Sequence, residues 1–287
     1  MNHPSNRPPV HFHDTGGAGS VIVFIHGWSC GHDDWAEQSR ALSADFRCIA
    51  IDLPGHGRSA RPETISIEAM AVGVNAVLDY LAIEDAVLVG HSMGCRVAMQ
   101  VWADQPKRVR GIIHADGSLM EGDLDAILAR FQSEVDSQGA DHLIDRLYEG
   151  FAVDSTPQSV RDALARRRRA VDPGFLVPLL YDMVRWDIAL SARTLARIDI
   201  PVMVMQSTLL DATGKRVAIR EGESTPWTRS VRQHLPGARI VTIGGIGHFP
   251  MMEASGRTNE LIRGFVESLA PVCHHPHDGH QDCDACR

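Results

Sequence analysis

The fold of this chain is decided by one stretch, Val87-Leu88-Val89-Gly90-His91-Ser92-Met93-Gly94-Cys95-Arg96. A short apolar run ends in Gly-x-Ser-x-Gly, and residues of helical character follow at once, which predicts a strand, a tight turn and a helix. We expect glycine at positions 90 and 94 because a Cβ there would collide with a neighbouring strand or helix. Ser92 would then lie in a strained turn at a helix N-terminus, where negative charge is favoured. That position suits a nucleophile, although the motif alone also fits an ordinary glycine turn with an exposed serine.

Composition limits the class of protein. The chain has 287 residues, of which 44% are hydrophobic and 22% charged, and this is typical of one large globular α/β domain with an insertion. The net charge is −8, and the only basic run, at 166–169, is typical of a solvated helix face. Both features argue against a nucleic-acid partner.

Nothing in the sequence predicts a membrane span or a leader. No apolar segment approaches the ~20 residues that cross a bilayer, and residues 1–9 are polar and proline-rich, which predicts a flexible N-terminus. Cys30, Cys48 and Cys95 lie in predicted core elements, where reduced thiols behave as small hydrophobic groups. We therefore expect a cytoplasmic protein with no membrane partner.

Short β-branched runs alternate with helical patterns along most of the chain. This alternation predicts a mostly parallel central sheet with helices on both faces, formed by residues 10–118 and 191–270. The predicted strands are 21–25, 46–51, the run before Ser92, 109–115, 200–205 and 239–243, and the predicted helices are 67–81, 96–103 and 257–269.

The pattern changes at residues 119–190, which are rich in Arg, Asp and Leu. Helical periodicity is evident at 124–135 and 142–151, and no strand pattern is clear. We expect this segment to be a helical cap, or lid, over the C-terminal edge of the sheet.

Four motifs together resemble those of the α/β-hydrolase fold superfamily, of the serine esterase and lactonase type. They are His26-Gly27-Trp28, Asp52-Leu53-Pro54-Gly55-His56-Gly57-Arg58-Ser59, Gly90-His91-Ser92-Met93-Gly94 and Gly247-His248-Phe249. The resemblance covers residues 10–270. It implies a catalytic triad and an oxyanion hole formed by the backbone N–H groups of Trp28 and Met93.

The chemistry of a serine nucleophile requires a base within hydrogen-bonding reach. His248 is the candidate because it lies on a glycine-containing loop directly after a predicted strand. His26 and His91 flank other strand ends, and we interpret them as residues that brace loops through hydrogen bonds.

The acid of the triad has two candidates. Asp211 lies near the position usual in the family, but the family pattern there is Gly-x-x-Asp, and this chain has Ser207-Thr208-Leu209-Leu210-Asp211. Asp116 ends the strand after the nucleophile helix, and some members, such as the zearalenone lactonases, take their acid from that position. Many other members carry a non-catalytic aspartate there, as a turn former. We favour Asp116 and keep Asp211 as the alternative.

Large apolar residues of the insertion and of the loops could line a substrate pocket, although each also fits a core position. The candidates are Trp28, Phe151, Met183, Trp186 and Trp227, the last at the end of a predicted long loop, 221–227.

The last residues, 271–287, form a Cys/His-rich tail. Cys283-Asp284-Ala285-Cys286 has the spacing of half a zinc site, but no second Cys-x-x-Cys exists. We favour a disordered extension that binds metal only adventitiously, and we predict no metal and no cofactor in the working protein.

The leading hypothesis is a serine hydrolase that cleaves a carboxylic ester or lactone, including a bulky cyclic ester such as a macrolide, through an acyl-enzyme. Its partner would be that small molecule, and the sequence makes no prediction of oligomeric state. Three alternatives stay open: a C–C bond hydrolase, a perhydrolase on the same triad, and a non-catalytic receptor for a small ligand.

Overall fold

The computed structural model describes residues 8–211 and 214–269. The Cys/His-rich tail and most of the predicted flexible N-terminus lie outside the described residues.

Strands and helices alternate along the chain as their patterns predict. The strands are β1 (Phe12–Asp14), β2 (Val21–Ile25), β3 (Arg47–Ile51), β4 (Ala86–His91), β5 (Val109–Ala115), β6 (Val202–Gln206), β7 (Thr208–Leu210), β8 (Arg216–Ala218) and β9 (Arg239–Thr242). The α-helices are α1 (Ala36–Leu42), α2 (Ile67–Tyr80), α3 (Met93–Asp104), α4 (Leu124–Gln138), α5 (Ala140–Glu149), α6 (Gln158–Arg168), α7 (Pro173–Trp186), α8 (Ala192–Leu195), α9 (Pro226–His234), α10 (Pro250–Glu253) and α11 (Ser255–Ser268).

The central sheet has seven strands in the order β1-β3-β2-β4-β5-β6-β9. All neighbours are parallel except β1, which runs antiparallel to β3 at one edge. Strands β2 to β6 are buried almost throughout, which explains their continuous apolar sequences. The predicted fold class, a mostly parallel sheet flanked by helices, is confirmed.

The chain between β5 and β6 is helical, in agreement with its periodicity. Helices α4 and α5 correspond to the two predicted segments, and α6 and α7 complete the insertion. Several contacts tie the insertion to the rest of the domain. The indole of Trp28, in the loop after β2, donates to the carbonyl of Leu176 at 2.9 Å, and Arg96 of α3 makes a buried ion pair with Asp187 at 2.6 Å. The function of this insertion as a lid stays a prediction.

Two local features differ from the sequence prediction. After β6 the chain forms an antiparallel hairpin, β7–β8, which we did not predict. The predicted long loop 221–227 is wrong at its end, because α9 begins at Pro226. The side chains of Thr225 and Thr228 cap that helix reciprocally, each accepting a hydrogen bond from the other residue's backbone N–H at 3.1 and 2.8 Å.

Within the described part of the chain, no helix combines the length and the apolar character that crossing a membrane requires.

Candidate active site

Ser92 forms a sharp turn between β4 and α3. Its φ is 52° and its ψ is −111°, and its backbone N–H donates to the carbonyl of Ala115 on β5 at 3.0 Å. A non-glycine residue in such a conformation costs ~1–3 kcal/mol and persists only where the surrounding structure enforces it. The strain predicted for this turn is therefore present at the serine itself.

Two glycines make the turn sterically possible. A Cβ on Gly90 would lie 2.2 Å from the carbonyl oxygen of Gly94, and a Cβ on Gly94 would lie 2.3 Å from that of Ile25 on β2. Both distances are far below van der Waals contact. The predicted collisions with a neighbouring helix and strand are confirmed.

The loop after β2 lies directly against the serine. A Cβ on Gly27 would lie 3.2 Å from the Cβ of Ser92 and 2.9 Å from Nδ1 of His91, so only a glycine fits this approach. Trp28 directly follows Gly27. Met93 is the first residue of α3, so the backbone N–H of Met93 has no partner within that helix. The two backbone N–H groups predicted to form an oxyanion hole thus belong to segments that meet at Ser92.

His248 is held beside the serine turn and against Asp116. Its Nδ1 donates to Oδ2 of Asp116 at 2.7 Å, and both side chains are fully buried. The ring of His91, which precedes Ser92, lies 4.5 Å from the His248 ring, and His91 Nε2 donates to the His248 carbonyl at 2.7 Å. The structure therefore pairs His248 with Asp116 and places this pair against His91, the residue next to Ser92.

Asp116 is the centre of a dense hydrogen-bond network. It follows β5 in a left-handed conformation with φ of 46°, which aspartate tolerates better than most residues. Besides His248, its donors are Gln206 Nε2 at 2.9 Å, Ser207 N at 2.9 Å, Thr208 N at 2.7 Å, the Thr208 hydroxyl, and Arg216 Nη1 at 3.2 Å. These donors favour the ionised carboxylate.

Asp211 lies in the turn of the β7–β8 hairpin. Its Oδ1 accepts the backbone N–H of Lys215 at 3.0 Å, and its carbonyl accepts that of Gly214 at 3.0 Å. These contacts shape the turn. The structure brings Asp116, the favoured candidate, to Nδ1 of His248 and places Asp211 in the hairpin.

Burial and neighbouring charge set the ionisation of the pair. Burial lowers the pKa of His248 to about 4, and the charge of Arg216 adds to this effect while Asp116 opposes it. Burial raises the pKa of Asp116, but the hydrogen bond from His248 and the charge of Arg216 outweigh burial and bring that pKa to about 2. At neutral pH the site therefore holds a neutral imidazole beside an ionised carboxylate.

A cavity of about 120 Å3, here called the Ser92 cavity, opens at the serine. Trp28, Phe151 and Met183 line it, as predicted, and the Phe151 ring lies 5.6 Å from the ring of His248. Other parts of its wall come from the insertion and from the β7–β8 hairpin.

The structure places the two remaining pocket candidates elsewhere. Trp186 is fully buried, and its indole donates to Oε1 of Gln100 on α3 at 2.9 Å, so it packs the insertion against the core. Trp227 packs edge-on against His114 at 5.4 Å and lines a second cavity of about 500 Å3, here called the adjoining cavity. Neither residue lines the Ser92 cavity, and their part in a substrate pocket stays a prediction.

Comparison with known proteins agrees with this geometry. Residues 22–261 match the sequence profile of the alpha/beta hydrolase family. The chain belongs to this family.

Individual relatives of this chain are distant. It is 28% identical over 254 residues to the dihydrolipoyllysine-residue acetyltransferase component of the acetoin cleaving system of Pseudomonas putida, a match that covers 88% of this chain and 64% of that protein. The chain thus spans less than two thirds of the length of the first curated relatives that it matches.

Two further relatives are matched over nearly their whole length. The pimeloyl-(acyl-carrier protein) methyl ester esterase of Neisseria meningitidis is 25% identical over 276 residues, with 86% of this chain and 94% of that protein covered. The solved structure of an N-acyl homoserine lactone degrading enzyme has a TM-score of 0.70 and 26% identity, and it covers 89% of this chain and 96% of its own.

The structure also shows residues that hold the His248 loop and that sequence analysis missed. The carboxylate of Glu253 accepts the backbone N–H groups of Gly247 and Phe249 at 2.9 and 3.0 Å, and the hydroxyl of Ser207 donates to the carbonyl of Gly247 at 2.8 Å. These bonds fix both sides of His248. No motif in a single sequence marks Glu253 or Ser207 for this task.

One group of side chains in the described part of the chain has ligand atoms close enough for a metal ion: His11, His32 and Asp52. The Asp52 carboxylate already accepts hydrogen bonds from the backbone N–H groups of His32 and Arg58 at 2.9 and 3.0 Å. These hydrogen bonds of Asp52 stabilise the loop after β3.

Proposed function

We propose that this chain is a serine hydrolase that cleaves a small carboxylic ester or lactone through an acyl-enzyme. The observation that carries the proposal is the buried hydrogen bond between His248 Nδ1 and Asp116 Oδ2, beside a serine in a strained turn. A base oriented by a carboxylate next to a hydroxyl nucleophile is the arrangement that acyl transfer requires.

In this mechanism Ser92 Oγ attacks the carbonyl carbon of the ester, and His248 Nε2 takes the hydroxyl proton. The carbonyl oxygen becomes an oxyanion, which the backbone N–H groups of Trp28 and Met93 stabilise. His248 then gives its proton to the leaving alcohol, and the acyl group stays on Ser92. Water, deprotonated by His248, attacks the acyl-enzyme and releases the acid, which regenerates the serine.

Asp116 supports each proton transfer without taking part in it. Asp116 accepts a hydrogen bond from the Nδ1–H group of His248 and so fixes the tautomer in which Nε2 is free to act as base. Its negative charge stabilises the imidazolium that forms. The backbone N–H groups of Ser207 and Thr208 also donate to this carboxylate and keep it ionised throughout the cycle.

Size and relationship favour a small ester or lactone. The Ser92 cavity of about 120 Å3 is smaller than the roughly 300–1,000 Å3 typical of sites for drug-sized ligands, which argues against a macrolide. Among the relatives, one is described as a methyl ester esterase and one as a lactone degrading enzyme, and both names support carboxylic ester chemistry.

The test is hydrolysis of p-nitrophenyl acetate together with labelling by a fluorophosphonate, which reacts with activated serines. We expect turnover and labelling of the wild-type protein and a loss of at least ~10³-fold in kcat for Ser92→Ala. The matched control is Ser133→Ala, an exposed serine on α4, which should retain both signals. Turnover that survives in Ser92→Ala would contradict the proposal, and binding without turnover or labelling in the wild type would indicate a receptor.

A further inference from the structure

The wall of the Ser92 cavity combines apolar side chains with arginines, and none of the described residues that line it is acidic. The four arginines are Arg96, Arg130, Arg146 and Arg216. A pocket for a neutral apolar ester does not require such charge, since a buried cation needs a partner. The four arginines differ in whether their guanidinium groups have such partners.

Two of the arginines have strong partners of their own. Arg96 forms a bidentate pair with Asp187, with distances of 2.7 and 2.6 Å, and both residues are buried. Arg146 forms a similar pair with Glu134, at 2.7 Å for both bonds. Arg130 is exposed at the cavity rim, with its guanidinium 5.8 Å from the centre of the Phe131 ring.

Arg216 is different because it is buried and incompletely paired. Its side chain is 5% exposed, and its Nη1 donates to Asp116 Oδ2 at 3.2 Å and to the Thr208 hydroxyl at 3.0 Å. Its Nε has no hydrogen-bond partner within the described residues, although it is shielded from solvent. A guanidinium N–H in that state is a strong donor for an incoming anion.

The position of Arg216 places its side chain where a ligand of Ser92 could be bound. The residue lines both the Ser92 cavity and the adjoining cavity, so it lies on the wall that they share. Gly214 and Leu210, on the same hairpin, also line both cavities. A molecule that occupies the Ser92 cavity would therefore have the Arg216 side chain in its wall.

The charge of Arg216 also bears on the chemistry. A cation beside His248 opposes formation of the imidazolium, and it lowers the pKa of that histidine, after the larger effect of burial. A carboxylate bound to Arg216 would offset this repulsion during proton transfer. An anionic substrate would thus make it easier for His248 to become protonated during the reaction.

We infer, on the basis of the proposed function, that the substrate is an ester or lactone that carries a free carboxylate, and that Arg216 recognises this carboxylate within the site of Ser92. The chemical class is the monoester of a dicarboxylic acid, or the corresponding carboxy-substituted lactone. Arg216 is then a residue that determines specificity.

The first experiment compares kcat/KM for monomethyl adipate and methyl hexanoate, which differ only by a carboxylate in place of a methyl group. We expect the wild type to prefer the anionic ester by at least about tenfold, because a site built for a charged group rejects analogues without it. Arg216→Met should lower this ratio at least about tenfold, and Arg216→Lys should keep part of the preference. The control is Arg193→Met, an exposed arginine on α8 outside both cavities, which should keep the wild-type ratio.

The ratio separates substrate recognition from general damage to the triad. Loss of the Arg216 contact to Asp116 affects both esters, whereas loss of carboxylate binding affects only one. Wild-type hydrolysis of methyl hexanoate without preference for monomethyl adipate would overturn the inference and leave the proposed function intact. So would an unchanged ratio in a folded Arg216→Met or Arg216→Lys variant.

Calorimetric binding to Ser92→Ala gives a readout that does not depend on turnover. We expect monomethyl adipate to bind at least about tenfold more tightly than methyl hexanoate, and the difference to shrink in the Ser92→Ala, Arg216→Lys double variant. Equal affinity for the two esters would overturn the inference. Selective binding in Ser92→Ala with no turnover by the wild type would support the carboxylate site and overturn only the hydrolase assignment.

Discussion

Asp116 Oδ2 and His248 Nδ1 lie 2.7 Å apart, although 132 positions separate the two residues. The hydrogen bond joins the end of β5 to the loop after β9, past the end of β6, which lies between these two strands in the sheet. The chain after β6 instead turns into the β7–β8 hairpin, whose residues Thr208 and Arg216 donate to the same carboxylate. The segment that follows β6, where the family usually carries the acid, thus donates hydrogen bonds to Asp116, the acid that we propose.

The two candidate acids are separated by amide substitution. We expect Asp116→Asn to lower kcat for p-nitrophenyl acetate by ~10³–10⁴-fold, because an amide can donate to Nδ1 and favours the wrong histidine tautomer. Asp211→Asn should stay within about threefold of the wild type, since its carboxylate accepts a backbone N–H in a turn that asparagine also accommodates.

Thermal unfolding provides the control for this pair. Asparagine tolerates the positive φ of position 116, so both variants should fold. A folded Asp211→Asn protein without activity, next to an active Asp116→Asn protein, would reverse the assignment.

The pH dependence of kcat/KM follows from the neutral imidazole. Burial lowers the pKa of His248 to about 4, so the base stays unprotonated until the pH falls to that range. We expect kcat/KM for p-nitrophenyl acetate to be flat from pH 7 to about 5 and to fall below that with a midpoint within about one unit of 4. A midpoint near 6.5, the ordinary value for histidine, would show that the site is open to water.

Local sequence could predict the parts of the site whose conformation is determined by steric contacts among residues close in sequence. The turn at Ser92 and its two glycines are encoded in five consecutive positions, and the loop at His248 follows a recognisable strand. The parallel sheet was predictable for the same reason, because its strands are continuous apolar runs.

The parts that depend on distant packing could not be predicted. Asp116 and Asp211 both follow strands, and only the three-residue strands of the β7–β8 hairpin decide which one reaches His248. Arg216 contacts Asp116 across 100 positions without any local signal. Met183 and Trp186 lie on the same helix, yet Met183 lines the Ser92 cavity and Trp186 packs against Gln100. This difference depends on the orientation in which α7 packs against α3.

The close approach of Gly94 to β2 predicts a severe steric effect. A Cβ there would lie 2.3 Å from a backbone oxygen that cannot move without disturbing the sheet, so we expect Gly94→Ala to lower the midpoint of thermal unfolding and to abolish activity. Gly264→Ala is the matched control, because Gly264 is exposed on α11 and has no neighbour within 4 Å of a built Cβ. It should stabilise the protein by ~0.5–1 kcal/mol through helix propensity. Equal unfolding midpoints for the two variants would contradict the steric account.

Buried histidines predict how stability changes with pH, and His114 allows the cleanest test. Its ring lies edge-on to Trp227 at 5.4 Å, and neither ring nitrogen has a hydrogen-bond partner in the described chain. Burial lowers its pKa to about 3, with a smaller contribution from the charge of Arg96. Because the folded-state pKa lies below the unfolded value of about 6.5, the unfolded chain binds a proton that the folded chain excludes, and stability falls as the pH drops through 6.5.

Replacing this ring by one that cannot titrate should remove that part of the pH dependence. Between pH 7 and pH 5 we expect His114→Phe to lose ~2 kcal/mol less unfolding free energy than the wild type, measured by urea denaturation at both values. The comparison uses the change with pH within each protein, so a constant packing effect of the phenyl ring cancels. His13→Gln, which alters an exposed ring on β1, should keep the wild-type dependence. Parallel curves for wild type and His114→Phe would mean that the folded protein protonates His114, which is incompatible with the buried position against Trp227.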